Sequence, residues 1–176
     1  MKKIVLYVAA SLDGYIADSR KSVNWIKGED DSVEMMDTYS RFFASVDTVI
    51  LGKRTYDQIV TELSPDYWPY SEAKTYVLTH EPRTGTENIE FVSEDLCRFV
   101  NDLRHGTGKN IWICGGADII HQLLKGDLID IFHITTIPTI LGGGVRLFSE
   151  MDGIRNLRLI DTVIHNGIIE AVYERR

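Results

Sequence analysis

Cysteine, proline and positive charge are all scarce in this 176-residue chain, and each scarcity closes off a class of protein. The two cysteines, Cys97 and Cys114, lie far apart with no CxxC or Cys/His spacing, so neither a disulfide framework nor a zinc ribbon is expected. His105, His121, His133 and His165 are equally scattered, and no metal site is expected from them. Nineteen Lys and Arg stand against 26 Asp and Glu, a formal charge of -7. A polyanion needs a basic face, so neither nucleic acid nor an anionic membrane is expected as the main partner. No apolar run approaches the roughly 20 residues that span a bilayer. The opening run from Met1 is short and is interrupted by Asp13, which reads as a buried strand rather than a secretion leader. With no repeat, low-complexity tract or Pro/Gly/Ser linker, a single domain over residues 1–176 in a reduced, cytoplasmic setting is the expectation.

The residues that are present alternate between two periods. Lys3–Ala10, Asp47–Leu51, Thr75–Thr79, Ile89–Val92, Asn110–Cys114 and Asp130–Thr136 read as strands. Between them, helices are expected over Asp31–Ser45, Arg54–Val60, Asp95–Arg104 and Ala117–Lys125, the last stopped by Gly126. The first rests on Val33, Met36, Tyr39, Phe42 and Phe43 at three- and four-residue spacing. Arg158–His165 and Ile168–Glu174 bracket Asn166-Gly167, the favoured dipeptide of a two-residue hairpin. The pattern predicts an α/β protein whose mostly parallel sheet carries helices on both faces and ends in an antiparallel hairpin. Ligands of such sheets sit at the carboxyl ends of strands, which directs attention to four corners.

At Ile113-Cys114-Gly115-Gly116-Ala117-Asp118-Ile119, a strand passes through two glycines straight into an amphipathic helix. Backbone can approach a ligand closely there, and a helix start favours anions, so the corner suits a pyrophosphate. It also suits a plain tight turn, and it is not a GxGxxG fingerprint. At Leu51-Gly52-Lys53-Arg54-Thr55, two cations and a hydroxyl follow a strand-end glycine, where helix-dipole logic disfavours cations unless an anion binds. Thr79 and His80 close a third strand. Ala9-Ala10-Ser11-Leu12-Asp13-Gly14 leaves the first strand through small residues, and its Asp13 serves either an Asx-type turn or hydrogen bonding and proton relay to a substrate.

Together these corners occur in the order and approximate spacing of the dihydrofolate reductase fold, over nearly the whole chain. In detail they resemble the reductase domain of bacterial riboflavin biosynthesis, through Ser11–Gly14, Gly52–Thr55, Gly115-Gly116, Thr135-Thr136 and Pro138–Gly144. The resemblance implies a three-layer α/β/α architecture and an NADPH-dependent oxidoreductase, with a cis peptide between the paired glycines. It places the cofactor's phosphates against Gly52, Lys53, Arg54, Thr55 and the turn Gly115, Gly116, Ala117, Asp118 and Ile119, and the 2′-phosphate near Thr79 and His80. It places the nicotinamide near Ala9 and Ala10, with substrate beyond it toward Ser11, Asp13, Trp25 and Thr135. Asp13 is the expected catalytic residue. The expected substrate is of the 5-amino-6-(5-phosphoribosylamino)uracil type. Two departures stand out: neither Glu34 nor Asp37 falls in register for the pterin-holding acid of dihydrofolate reductases, and Cys114 precedes the paired glycines where the riboflavin family commonly has an acid. Dihydrofolate reduction is the rival enzymatic reading, and an idle nucleotide-binding module the rival outside catalysis. The apolar C-terminal hairpin fits a homodimer interface as well as ordinary sheet packing.

Overall fold

A computed structural model describes residues 1–34, 36–81 and 83–176. In chain order it contains β1 (Ile4–Ser11), β2 (Tyr15–Ala17), α1 (Thr38–Phe43), β3 (Val46–Gly52), α2 (Lys53–Gln58), β4 (Lys74–Leu78), β5 (Ile89–Val92), α3 (Leu96–Arg104) and β6 (Asn110–Gly115). These are followed by α4 (Ala117–Lys125), β7 (Ile131–Ile137), β8 (Val145–Arg146), β9 (Leu157–His165) and β10 (Ile168–Arg175). Eight strands form one sheet in the order β5-β4-β3-β6-β1-β7-β10-β9. The six from β5 to β7 pair in parallel, and β10 returns antiparallel to β7 and to β9. The mostly parallel sheet with its antiparallel end is what the sequence pattern predicts, and the arrangement is the dihydrofolate reductase-like one that the resemblance implies.

The central strands are buried on both faces, as parallel strands covered by helices must be. Ile4 and Leu6 of β1 pack with Ile111, Ile113, Val100, Ile120 and Leu123 toward α3 and α4. Val5, one residue out of phase, packs with Val49, Leu51, Val77 and Trp112 toward Phe42 of α1. At the hairpin, Asn166 and Gly167 both hold positive φ, 48° and 74°, as a type I′ turn requires. Of the apolar residues that fit a dimer interface, Ile168 and Ala171 are already buried inside the sheet, whereas Ile169 is exposed.

One helix is much shorter than its periodicity predicts. Among the described residues of Asp31–Ser45, only Thr38–Phe43 is helical, and Val33 and Met36 are exposed. Local hydrogen bonding explains this: Asp30 Oδ1 accepts from both Ser32 N and Ser32 Oγ, and Asp37 Oδ1 accepts from Ser40 N at 2.9 Å. Side chains that satisfy nearby backbone compete with helix until the strongest cap starts it. In the opposite direction, α2 runs on through one wider turn, Ile59–Leu63, beyond the expected end at Val60.

A buried ion pair fastens the start of the sheet. Both carboxylate oxygens of Asp130 lie 2.8 Å from Arg104 Nη2, and Asp130 Oδ2 also accepts from Ile4 N at 2.8 Å. The heads of β1 and β7 and the end of α3 are thereby held together, and Asp130 is buried. Asp130→Ala, which leaves the Arg104 charge without its partner, is expected to lower unfolding free energy by about 3 kcal/mol in urea titration. A loss below about 0.5 kcal/mol, the usual scale of a surface change, would contradict the anchoring role.

Candidate active site

β3 and β6 are parallel neighbours with Leu51 opposite Gly115, so the two glycine corners come level. A Cβ at Gly52 would lie 3.8 Å from Gly116 N, and one at Gly116 would lie 3.2 Å from Thr55 Oγ1. The corners therefore abut along their backbones, with Thr55 between them. Gly115 has φ +133°, a conformation side chains rarely adopt, and a Cβ there would point into open space. The Gly115–Gly116 peptide is cis, as the resemblance implies. No side chain caps α4, whose first residues are Ala117 and the exposed Asp118. Its N-terminal dipole end is thus open to an anion. Ile119 belongs to this corner through packing: its side chain is buried, and its N–H bonds back to Gly116 O at 3.1 Å.

The cations differ in how they are engaged. Lys53 Nζ is 2.5 Å from Asp57 Oδ2, and Arg83 approaches the same carboxylate at 3.5 Å. Arg54 is exposed beside the corner. β4 brings Leu78 opposite Gly52, which carries Thr79 and His80 to the same edge. Thr79 is buried with its Oγ1 accepting from Glu81 N at 3.1 Å, and His80 is exposed.

The corner after β1 departs from its expected use. Ser11 is only 2% exposed, and its hydroxyl donates to Asp13 Oδ1 at 2.6 Å while accepting from Tyr15 N at 3.0 Å. Both of these bonds lie within the turn itself. Asp13 also accepts from Leu141 N at 3.0 Å and Gly142 N at 2.7 Å. The Ser11 hydroxyl, then these two amides, hold its carboxyl down at about 2. A group so acidic is a poor proton donor near neutrality, and the geometry makes Asp13 a clamp between the loops after β1 and β7 instead. The clamp is reinforced by Leu12 N donating to Thr139 O, Leu147 N donating to Gly14 O, and the β2–β8 pair. Trp25 is half-buried with Nε1 donating to Ser22 O, on a segment tied to α2 by Gln58 Nε2 and Lys21 O.

A polar cluster that the sequence reading passed over lies on the α1 side of the sheet. In register, Tyr7 faces His133, Ala9 faces Thr135, and Thr135 faces Glu170. Glu170 is buried; its Oε1 is 2.6 Å from His133 Nε2, and its Oε2 accepts from Thr38 Oγ1 at 2.7 Å. Burial first, then the Glu170 charge, push the Tyr7 phenol upward, with Thr38 and Thr135 acting in the opposite direction. The available signal was an acid inside the otherwise apolar run Ile168–Val172, and a histidine between Phe132 and Ile134. Ala10 turns the other way, into the core beneath α3 and α4. Cys114, where an acid would be common, has its thiol pushed up to about 11 by burial, with Sγ 3.7 Å from Tyr70 Oη.

The profile of the RibD C-terminal domain matches residues 2–168. The chain belongs to the RibD C-terminal domain family. It is 39% identical to the uncharacterized protein YwjB of Bacillus subtilis, over 99% of this chain and 98% of that one. Among solved structures it superposes on a Shewanella sp. PV-4 protein that carries a provisional riboflavin-biosynthesis assignment, with a TM-score of 0.84, 31% identity, and coverage of 100% and 99%. Dihydrofolate reductase from Enterococcus faecalis, solved with NADP(H), shares the fold at a TM-score of 0.66 and 17% identity, covering 98% of this chain and 96% of that one.

For this RibD C-terminal domain, the Asp13 clamp makes a measurable claim. The amide protons of Leu141 and Gly142 should shift on acidification with a midpoint near about 2. Because the folded carboxyl is depressed, the clamp's contribution is complete above the ordinary carboxylate range and is lost as pH falls through the folded value. An NMR midpoint near 4 would show that the carboxylate is not so held.

Proposed function

We propose that this protein is an NADPH-dependent reductase acting on a small heterocyclic or sugar-phosphate substrate of the riboflavin-precursor type. The observation that carries this reading is the junction of the two glycine corners. The turns at Gly52 and Gly115-Gly116 come level, a Cβ at Gly115 would meet only open space, and α4 presents an uncapped start. Such a junction suits a pyrophosphate held by backbone and helix dipole. Arg54, Lys53 and Thr55 then give charge-assisted and hydroxyl contacts to phosphate oxygens, and Thr79 with His80 is the counterpart for the 2′-phosphate. The RibD family membership, and the NADP(H) bound by the similarly folded Enterococcus protein, support the same reading.

When bound, the cofactor supplies a hydride for a C=N or C=O carbon, or for an open-chain sugar carbon. The chain's own part is to orient and to exclude water. Ala9, beside Thr135 in register, leaves room for a flat ring. Asp13 draws the Leu141–Gly142 loop against the turn after β1, closing that side of the cleft. A folate substrate is disfavoured by two carboxylates: Glu34 is exposed ahead of α1, and Asp37 is engaged as its cap. The same reading makes the protein a cytoplasmic enzyme of small-molecule substrates, with neither nucleic acid nor membrane as partner. Pairing of two chains through the C-terminal hairpin is part of the proposal, because Ile160, Ile164 and Ile169 remain exposed there. Among the described residues, no helix is long and apolar enough to cross a membrane.

Fluorescence titration with NADPH, using NADH as control, followed by a panel of 5-amino-6-(5-phosphoribosylamino)uracil and dihydrofolate, tests the assignment. Arg54→Ala combined with Lys53→Ala should weaken NADPH about tenfold or more, as for loss of a charge-assisted contact. An equal loss for NADH would leave the phosphate contact without cofactor selectivity. NADPH binding with no oxidation by any substrate of the panel would favour an idle nucleotide-binding module.

A further inference from the structure

One carboxylate beside the glycine corners is shared by two cations from different parts of the chain. Lys53 and Asp57 stand one turn apart on α2, and Lys53 Nζ lies 2.5 Å from Asp57 Oδ2. The other oxygen of that carboxylate, Oδ1, accepts from Arg83 Nη1 at 3.5 Å. A Lys–Asp pair at this spacing is common on helices for stability alone. The second cation is not explained that way, because Arg83 comes from the loop between β4 and β5, 26 residues further on. Its guanidinium rests 5.8 Å from the centre of the Phe91 ring, and Tyr56 of α2 meets that ring edge-on at 5.2 Å. The aromatic seat and the carboxylate together fix where the charge stands. Two cations that take one oxygen each of a single carboxylate are spaced to share another oxyanion.

Position indicates which oxyanion. β3 has β6 on one side and β4 on the other. Gly116 follows β6, whereas Arg83 follows β4 in the loop that also carries Thr79 and His80. The Asp57 group and the junction of the glycine turns are therefore on opposite sides of the β3 corner. Neighbouring strands are about 5 Å apart, so the two places are separated by on the order of 10 Å. In a nicotinamide dinucleotide, the group within such reach of the pyrophosphate is the adenosine ribose. That ribose is where the two dinucleotides differ: its 2′ position carries a hydroxyl in NADH and a phosphate in NADPH. The side chains of Lys53, Asp57 and Arg83 are 30%, 39% and 43% exposed, so the group is accessible from solvent.

We propose that Asp57 is a built-in anion held in the place of the 2′-phosphate, and that it sets the cofactor preference of this protein. This rests on the reductase reading given above. To hold a phosphate there, Lys53 and Arg83 release Asp57 and turn to an anion with three acceptor oxygens and a charge of about −2. Breaking an exposed ion pair costs at most about fivefold in affinity, and both cations regain a partner. A 2′-hydroxyl cannot displace the carboxylate, but it can donate to Asp57 where it stands. Asp57 thus opposes the phosphorylated ribose and accommodates the plain one. The preference for NADPH is narrower than Lys53 and Arg83 alone would give.

The ratio of the NADH Kd to the NADPH Kd, from fluorescence titration of the full chain, decides the matter. Asp57→Asn removes the charge and keeps the size of the side chain. It should tighten NADPH about three- to tenfold, the scale of one or two exposed ion pairs, and leave NADH unchanged or weaker. The ratio then rises about threefold or more. Arg83→Gln should lower the ratio, and removing Asp57 in that background should gain less than it does alone. Adenosine 2′,5′-bisphosphate against adenosine 5′-monophosphate, which lack the nicotinamide, should reproduce the change. Both residues are on the surface, so each variant should unfold within about 2 °C of wild type. Equal tightening of both dinucleotides, as a diffuse field would cause, leaves the ratio where it was. In a wild type that binds NADPH, a smaller rise, no change or a fall in Asp57→Asn overturns the proposal and leaves the reductase reading standing. A wild type that binds neither dinucleotide overturns that reading, and this role of Asp57 with it.

Discussion

The parallel pairing of β3 with β6, Leu51 opposite Gly115, brings two polypeptide turns together at one level, and the rest of the site is arranged around that meeting. A Cβ at Gly52 would make ordinary contact with Ile119 at 3.4 Å and with Gly116 N at 3.8 Å, whereas one at Gly116 would sit tightly against Thr55 Oγ1 at 3.2 Å. Gly116 is therefore constrained by packing, and Gly115, at φ +133°, by its backbone conformation. Because β3 and β6 run parallel with Leu51 opposite Gly115, both turns leave the sheet at the same level. Their helices, α2 and α4, each begin directly after these turns. The β4 end, carrying Thr79 and His80, joins them because Leu78 is opposite Gly52.

On the far side of β1 the organisation is made by two carboxylates in opposite environments. Asp13 accepts from a hydroxyl and two backbone amides, which stabilise its charged form and tie two loops together. Glu170 lies inside the sheet layer, with a threonine hydroxyl on one oxygen and an imidazole on the other. Environment divides the tasks between groups of the same chemistry. A carboxylate whose ion is held by fixed donors serves architecture. The aromatic set around Glu170, with Tyr7 on Phe42 and Trp112 meeting Tyr70, keeps those geometries from relaxing.

Much of the fold was legible in the residues. Ala117–Lys125 and Ile89–Val92 appear with the expected bounds, and the Asn166-Gly167 turn has the expected handedness. These segments have strong local signals: uniform apolar period, a stop glycine, or a dipeptide that tolerates positive φ. The segment before α1 misled because its period was right while Asp30, Ser32 and Asp37 offered the backbone other partners. The corners Gly52–Thr55 and Gly115–Ile119 were readable as glycine-bearing strand ends. Ser11 and Asp13 were readable as polar residues at a third such corner, yet nothing nearby in sequence announces that their donors and acceptors are consumed by Leu141, Gly142 and Tyr15.

By itself, then, the sequence determined the strand and helix order, the parallel sheet and the places where the backbone can come close to a ligand. All of these follow from periodicity and from residue-specific backbone freedom, which act over a few neighbours. Only the tertiary structure decided which polar side chains remain available at those places. That depends on partners 128 residues away for Asp13 with Leu141, and 132 for Thr38 with Glu170. Hydrogen bonds are short and saturable. A carboxylate's role is set by which donors the fold brings within reach of it, and that is a property of strand register rather than of local sequence.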